Sequence, residues 1–471
     1  MQHPPRDILI VGSGAFGLGT AWALTKRPFF ANTRITVVDD ARGEFPPQDC
    51  ASVDSSRIEE WRRQGDDDIG GQGRYSEAGL LMTAYQEDGR VGRKTAWEYT
   101  QASFENVKRI AARAGAGDKV RELRTAGDVG AVLGMEQGRG RGRPGDWGYV
   151  NELSGWADAG RGMAWLYGRV EATGRVGFVD ARVEELVTEG ARVVGVKLGG
   201  SAGGDGGDVV RAEVVIVAAG AWTGGLVDLR GRVEATAQPL GYVDLSEEEF
   251  RTAATLPTVL NFSSGLFIIP PRERVLKVAR HMFGYLNPVT VERALPPSPS
   301  EARKPIVVSR PVTVRDLGVD DDDDDDDDDD VCTRLPKGAD QALRQALMDL
   351  TPLRGLEDRP WRETRLCWYA DTCDGDWLVD WHPGWNGLFV ATGDSGHAYK
   401  FLPVLGDKIV DCLVGKGGAL GEKWKWKDIK AGGERGCASD QGAAAEYVGL
   451  MTDDGSRGGE PGLILREELA K

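Results

Sequence analysis

No apolar run in this 471-residue chain reaches the roughly 18–20 positions a membrane-spanning helix needs, so a membrane protein of the helical kind is not expected. The opening Met1-Gln2-His3-Pro4-Pro5-Arg6-Asp7 passes straight into an apolar strand, without the layout of a secretory leader. The final Glu468-Leu469-Ala470-Lys471 is neither a peroxisomal nor an endoplasmic-reticulum address. A cytoplasmic chain is the expectation. Cysteine is sparse. The six residues at positions 50, 332, 367, 373, 412 and 437 show no paired zinc spacing, so no metal site is expected and the thiols are read as free. No internal repeat is present.

Positive charge is in deficit, and most of that deficit has one source. Asp320 to Asp330 is an unbroken run of aspartates; without those eleven charges the net charge of −16 falls to −5. The remaining balance gives no reason to expect nucleic acid or an anionic membrane as partner. The run repels itself and cannot bury, so it reads as a disordered surface insert.

What is present suffices for a packed core: 41% of residues are apolar, and the length suits two domains. Residues 7–40 read strand, glycine turn, helix, strand. Further strands are expected at Val183–Val187, Arg192–Leu198 and Glu213–Ala218, with a glycine-rich hairpin loop at 199–207. Short alternating runs over 236–315 suggest an antiparallel sheet. Ala339 to Leu350 has helical spacing, and 364–412 returns to strand, loop and helix. Beyond about 430 the polar, glycine-rich tail reads as poorly ordered.

Ile8-Leu9-Ile10-Val11 is apolar throughout, as in a buried parallel sheet. It runs into Gly12-Ser13-Gly14-Ala15-Phe16-Gly17. In this pattern Gly12 permits the tight turn, Gly14 lets a pyrophosphate approach the backbone, and Gly17 lets helix and strand pack closely. The helix from Leu18 to Lys26 aims its N-terminal amides at the phosphates. A second strand ends at Asp39, 22 residues after Gly17, where an acid accepts hydrogen bonds from a ribose. Dinucleotide binding follows, with NAD and FAD both open.

Three later segments turn the reading to FAD. Cys367-Trp368-Tyr369-Ala370-Asp371-Thr372, Asp380-Trp381-His382-Pro383 and Ala391-Thr392-Gly393-Asp394-Ser395-Gly396-His397-Ala398-Tyr399-Lys400-Phe401-Leu402-Pro403 together resemble the sarcosine oxidase family of FAD-dependent amine and amino-acid oxidoreductases. The fungal branch, with fructosyl amino acid oxidases and saccharopine or pipecolate oxidases, is the most similar. The resemblance spans most of residues 7–430. It implies that Cys367 bonds covalently to the flavin, that Lys400 pairs with the substrate carboxylate, that Lys277 promotes oxygen reduction, and that His281 lines the substrate pocket. It places Val183, Gly220, Trp222, Gly393, Ser395, Gly396 and His397 along the cofactor, and Ser55, Ser56 and Arg57 near its pyrophosphate or ring.

One segment departs from that family. Arg57-Ile58 is followed at once by Glu59-Glu60-Trp61-Arg62-Arg63, and about a helix and a turn of the family pattern is missing. A second arginine that helps hold the substrate carboxylate has no counterpart there; Glu60 occupies its spacing. The fold expected is α/β and α+β, a Rossmann-type FAD-binding domain (1–90, 160–235 and 359–430) interleaved with an antiparallel-sheet substrate domain (91–159 and 236–358). The activity expected is oxidation of a small secondary amine or N-substituted amino acid by a monomer, with O2 reduced to H2O2. A dehydrogenase using another electron acceptor, or an impaired FAD-binding pseudoenzyme, are the alternatives.

Overall fold

The computed structural model describes residues 1, 3–43, 45, 58–87, 94–135, 142–199, 207–312, 335–427, 452 and 454–471. Ser55, Ser56, Arg57 and the aspartate run lie outside these residues. Two large sheets organise the chain. The first has six strands, in the order Leu378–Trp381, Leu388–Thr392, Val214–Val217, Asp7–Val11, Arg34–Asp39 and Val176–Asp180. All its pairings are parallel except that of Leu378–Trp381 with Leu388–Thr392. The apolar strand Asp7–Val11 lies inside this sheet because both its faces are covered. On one face the helix Ala15–Lys26 packs with the helices Ala159–Glu171 and Leu402–Leu413. Gly19 and Gly406 bring two of these helices into backbone contact, since a Cβ on Gly406 would sit 1.8 Å from the Gly19 carbonyl oxygen. On the other face lies a three-stranded antiparallel sheet of Val183–Glu189, Arg192–Leu198 and Val209–Arg211.

The second large sheet has eight strands. They run Glu363–Asp371, Glu234–Asp244, Val275–Arg280, Leu266–Ile269, Thr258–Asn261, Leu80–Ala84, Trp147–Asn151 and Val120–Leu123. It is antiparallel apart from one parallel pair, Leu80–Ala84 against Thr258–Asn261. The helix Lys337–Asp349 buries Leu343, Ala346 and Leu347 against it.

Three expectations need correction. Leu80–Ala84 and Glu363–Asp371 belong to the eight-stranded sheet, not with the nucleotide-binding strands where the boundaries at 90 and 359 put them. The last part of the tail is packed: Gly458 bridges to Met282, Ile464 bridges to Leu286, and the helix Leu465–Leu469 buries Leu465. Cys373 is disulfide-bonded, so the thiols are not all free; Cys367 and Cys412 are. Among the described residues no helix is long and apolar enough to cross a membrane.

Candidate active site

The glycine turn after the first strand is shaped for close approach. Gly12 has φ of +103°, and a Cβ there would lie 2.5 Å from the Ala218 carbonyl oxygen. A Cβ on Gly17 would lie 1.8 Å from the Gly12 carbonyl oxygen, so only glycine lets the helix sit so near the strand. Gly14 caps the helix Ala15–Lys26 and offers its first amides no side-chain acceptor. Those amides face a cavity of about 440 Å³, bordered here by Gly12, Gly14, Ala15 and Phe16. An N-terminus left open in this way suits a phosphate.

Asp39, Val183, Gly220 and Trp222 line the same cavity. Asp39 accepts hydrogen bonds from the Ser13 amide at 2.7 Å and hydroxyl at 2.6 Å, which orient its carboxylate. Burial nevertheless pushes that carboxyl above its ordinary range. Trp368, Asp394, Ala398 and Tyr399 line the cavity too, so it joins the first glycine turn to the segment after Thr392. A cradle closed to any Cβ, open helix amides and an acid at the second strand fit a dinucleotide.

The segment after Thr392 is a second tight turn. Gly393, Ser395 and Gly396 have φ of +81°, +48° and +71°. A Cβ on Gly396 would meet the Tyr369 ring at 2.3 Å. Ser395 bears a side chain in this disfavoured region and is held there: its amide donates to the Ala370 carbonyl at 3.0 Å, and its hydroxyl accepts from the Thr372 amide at 3.2 Å. His397 and Lys400 follow. The His397 Nε2 lies 2.6 Å from the Gly375 carbonyl, and burial, then Lys400, pulls this imidazole down to about 3. His281 is lowered well below its ordinary value by burial, then by Arg457, His397 and Lys400. His281, His397 and Lys400 therefore feel one another's charge, and the His397 amide donates at 3.0 Å to the carbonyl of Asp394, which lines the cavity.

Sequence reasoning missed a fourth member of this cluster, its second cation beside Lys400. Arg457, buried, pairs with Asp371, donates to the Ser395 carbonyl at 3.0 Å and lies 3.3 Å from His281 Nδ1. The available signal was the apolar run Leu463-Ile464-Leu465 beyond it, too much for a solvated tail. Burial pushes the Asp371 carboxyl up, more strongly than Arg457 and the Thr236 hydroxyl pull it down. Asp394, half-buried where it faces the cavity, is pushed up to about 7 by burial, although it accepts from the Ala370 amide at 2.7 Å.

Lys277 and Cys367 lie on one face of the eight-stranded sheet. Tyr242 and Gln238, on the strand between them, are their respective cross-strand partners and point the same way. Burial raises the Cys367 thiol, while Arg365 and Lys277 act to lower it. After residue 57 the chain forms a helix, Ile58–Arg62. Its Trp61 is fully buried against Tyr399 and donates to the Lys400 carbonyl at 3.1 Å, so this helix supports the backbone at the lysine. Glu60 is half-buried.

Comparison with known proteins agrees with this geometry. Residues 7–412 match the family described as FAD dependent oxidoreductase. An amino acid oxidase, imqH, of Aspergillus flavus is 28% identical over 464 residues, covering 87% of this chain and 93% of that one. The L-saccharopine oxidase of Schizosaccharomyces pombe is 25% identical, covering 89% and 92%. The crystal structure of Amadoriase II, a fructosamine oxidase of Aspergillus fumigatus, superposes with a TM-score of 0.67 at 25% identity over 89% of each chain. Matched through both glycine turns and the cavity they border, the chain belongs to the FAD-dependent oxidoreductases.

Proposed function

We propose that this enzyme oxidises the C–N bond of a secondary amine or N-substituted amino acid to an imine, which water then hydrolyses, with O2 reduced to H2O2. The observation that carries the reading is Arg457, 3.3 Å from His281 Nδ1 and bound at 3.0 Å to the Ser395 carbonyl, in the turn that bears His397 and leads to Lys400 and whose Asp394 lines the cofactor cavity. Two relatives of this chain are named as oxidases of an amino acid or of L-saccharopine, which supports an amino-acid substrate.

FAD held in this cavity would supply a two-electron acceptor for the hydride from the carbon next to nitrogen and a route for those electrons to O2. The chain does the rest. Lys400 and Arg457 hold the substrate carboxylate by charge-assisted hydrogen bonds. His281, neutral at working pH because burial and its cationic neighbours lower it, accepts a hydrogen bond without repelling an amine. The neutral amine gives up the hydride without a general base. Lys277 provides a fixed positive charge for oxygen as it becomes negative. The Cys367 thiol, on the same sheet face, would hold the flavin as a thioether, the S–H and a flavin C–H giving way to the S–C bond and the two electrons passing through the flavin ring to O2.

The test is a panel of N-methyl and N-carboxyalkyl amino acids, with their unsubstituted parents, mixed anaerobically with the flavin-loaded protein. Bleaching by N-substituted members, followed by oxygen uptake and peroxide, is expected. Failure of every member, while dithionite still bleaches the flavin, would overturn the proposal. Bleaching without oxygen uptake would make the enzyme a dehydrogenase. Absorbance that stays with acid-precipitated protein checks the bond to Cys367.

A further inference from the structure

The cavity continues past Asp39 to residues that no motif accounts for. The strand Val176–Asp180 runs parallel to the strand bearing Asp39, with Asp180 and Asp39 in register. Beyond it the chain folds back over the Asp180 carboxylate, which accepts three successive backbone amides: Ala41 at 2.8 Å, Arg42 at 3.1 Å and Gly43 at 2.5 Å. Three converging donors fix the path of this turn.

Inside the turn Arg42 has φ of +50°, which disfavours any residue with a side chain. An arginine kept where glycine would fit better suggests that its side chain is used. Arg42 lines the cavity next to Asp39 and Asp40. The other carboxylates at this end have partners: Asp39 is held by Ser13, and Glu184 pairs with Arg293 at 3.0 Å. A phosphate-bearing ligand would bring more negative charge beside Asp39 and Asp40, and a cation in the same wall offsets it. A guanidinium does this by a two-pronged hydrogen bond to phosphate or by stacking on a base.

We propose that Arg42 recognises the adenylate half of the cofactor, that Asp180 positions it by clamping the turn, and that this pair makes the chain select FAD over FMN. The proposal rests on the family's use of FAD. It is tested in the full chain carrying Cys367→Ala, so that flavin exchanges freely, by titrating apoprotein with FAD and with FMN and following flavin fluorescence.

Arg42→Gly is the chosen variant because glycine keeps the backbone conformation and removes only the guanidinium. It is expected to weaken FAD by about tenfold, the loss of one charge-assisted contact, and to leave FMN within about twofold. Asp180→Ala should weaken FAD selectively as well. The double variant should be no worse than Arg42→Gly alone, because a clamp with nothing to position contributes nothing further. The unsubstituted Arg42 chain must itself prefer FAD; equal affinity for the two flavins would overturn the proposal. A parallel loss of FAD and FMN would do the same, since it marks a general structural defect, as would unchanged FAD affinity in Arg42→Gly.

Discussion

Removing Arg457 should destabilise the protein and weaken substrate binding, and the two effects can be separated. Its guanidinium pairs with Asp371, and the residues are 7% and 4% exposed. Breaking a buried ion pair from one side costs about 3–5 kcal/mol, because the remaining charge is left without compensation. In Arg457→Met, Asp371 would keep, among the described residues, the Thr236 hydroxyl at 2.5 Å. Its carboxyl is already pushed up by burial, so taking up a proton softens the loss and places the expected cost near the lower end, about 3 kcal/mol. Changing Asp371→Asn in the same chain removes the stranded charge while keeping an acceptor for Thr236. Stability should then return to within about 1 kcal/mol, whereas affinity for a carboxylate substrate should not return. Urea unfolding of the flavin-loaded protein and anaerobic substrate titration measure the two quantities. A cost below about 1 kcal/mol in the single variant would refute the buried pair. Restored substrate affinity in the double variant would refute the carboxylate role of Arg457.

Three further outcomes follow from the same geometry. Lys277→Met should slow reoxidation by O2 at least about tenfold in stopped flow while leaving anaerobic reduction nearly unchanged; equal slowing of both would remove its assigned role. Lys400→Met should raise the dissociation constant for carboxylate substrates about a hundredfold, from the cost of truncating one partner of a desolvated charge pair, without a comparable change for amines lacking the carboxylate. For Asp394 the folded value near 7 lies above the ordinary 3.8, so the folded chain keeps a proton that the unfolded chain gives up. Its contribution to stability is full below about pH 4 and is lost as pH rises through about 7, a decline that Asp394→Asn should flatten in thermal melts across that window.

The parts legible in sequence were those whose causes are local. Gly17 is demanded by a contact within one strand-turn-helix, with the Gly12 carbonyl, and its spacing from Gly12 announces it; Gly12 also faces the distant Ala218 carbonyl, but its place at the end of the first strand marks the turn. Asp39 follows because the second strand must return to the same sheet. The turn at Gly393–Gly396 was legible by resemblance. Its physical need, the Gly396 backbone pressed against the Tyr369 ring, depends on a residue 27 positions away and has no signature of its own. Leu80–Ala84 was misplaced because its parallel partner, Thr258–Asn261, lies far along the chain, and no local pattern chooses between two sheets. The tail misled for the same reason. Glycine and polar residues around Arg457 look solvated until Met282 and Leu286 supply edges for them to pair with.

That distance bears on how the site is completed. Asp371 ends a strand of the eight-stranded sheet, Asp394 and Ser395 lie in the turn after a strand of the parallel sheet, and Arg457 arrives from near the C-terminus. None of the three is comfortable alone. Both carboxyls are pushed up by burial, and Ser395 carries a side chain in a left-handed conformation. Arg457 answers two of these problems at once: its guanidinium faces Asp371 and binds the Ser395 carbonyl that the strained turn presents. A substrate carboxylate entering the cluster would compete with Asp371 for the same guanidinium. In the proposed reaction, part of the energy that burying this charge costs would be regained on binding, with the strained turn, the two acids and the late-arriving arginine together holding one cation in place.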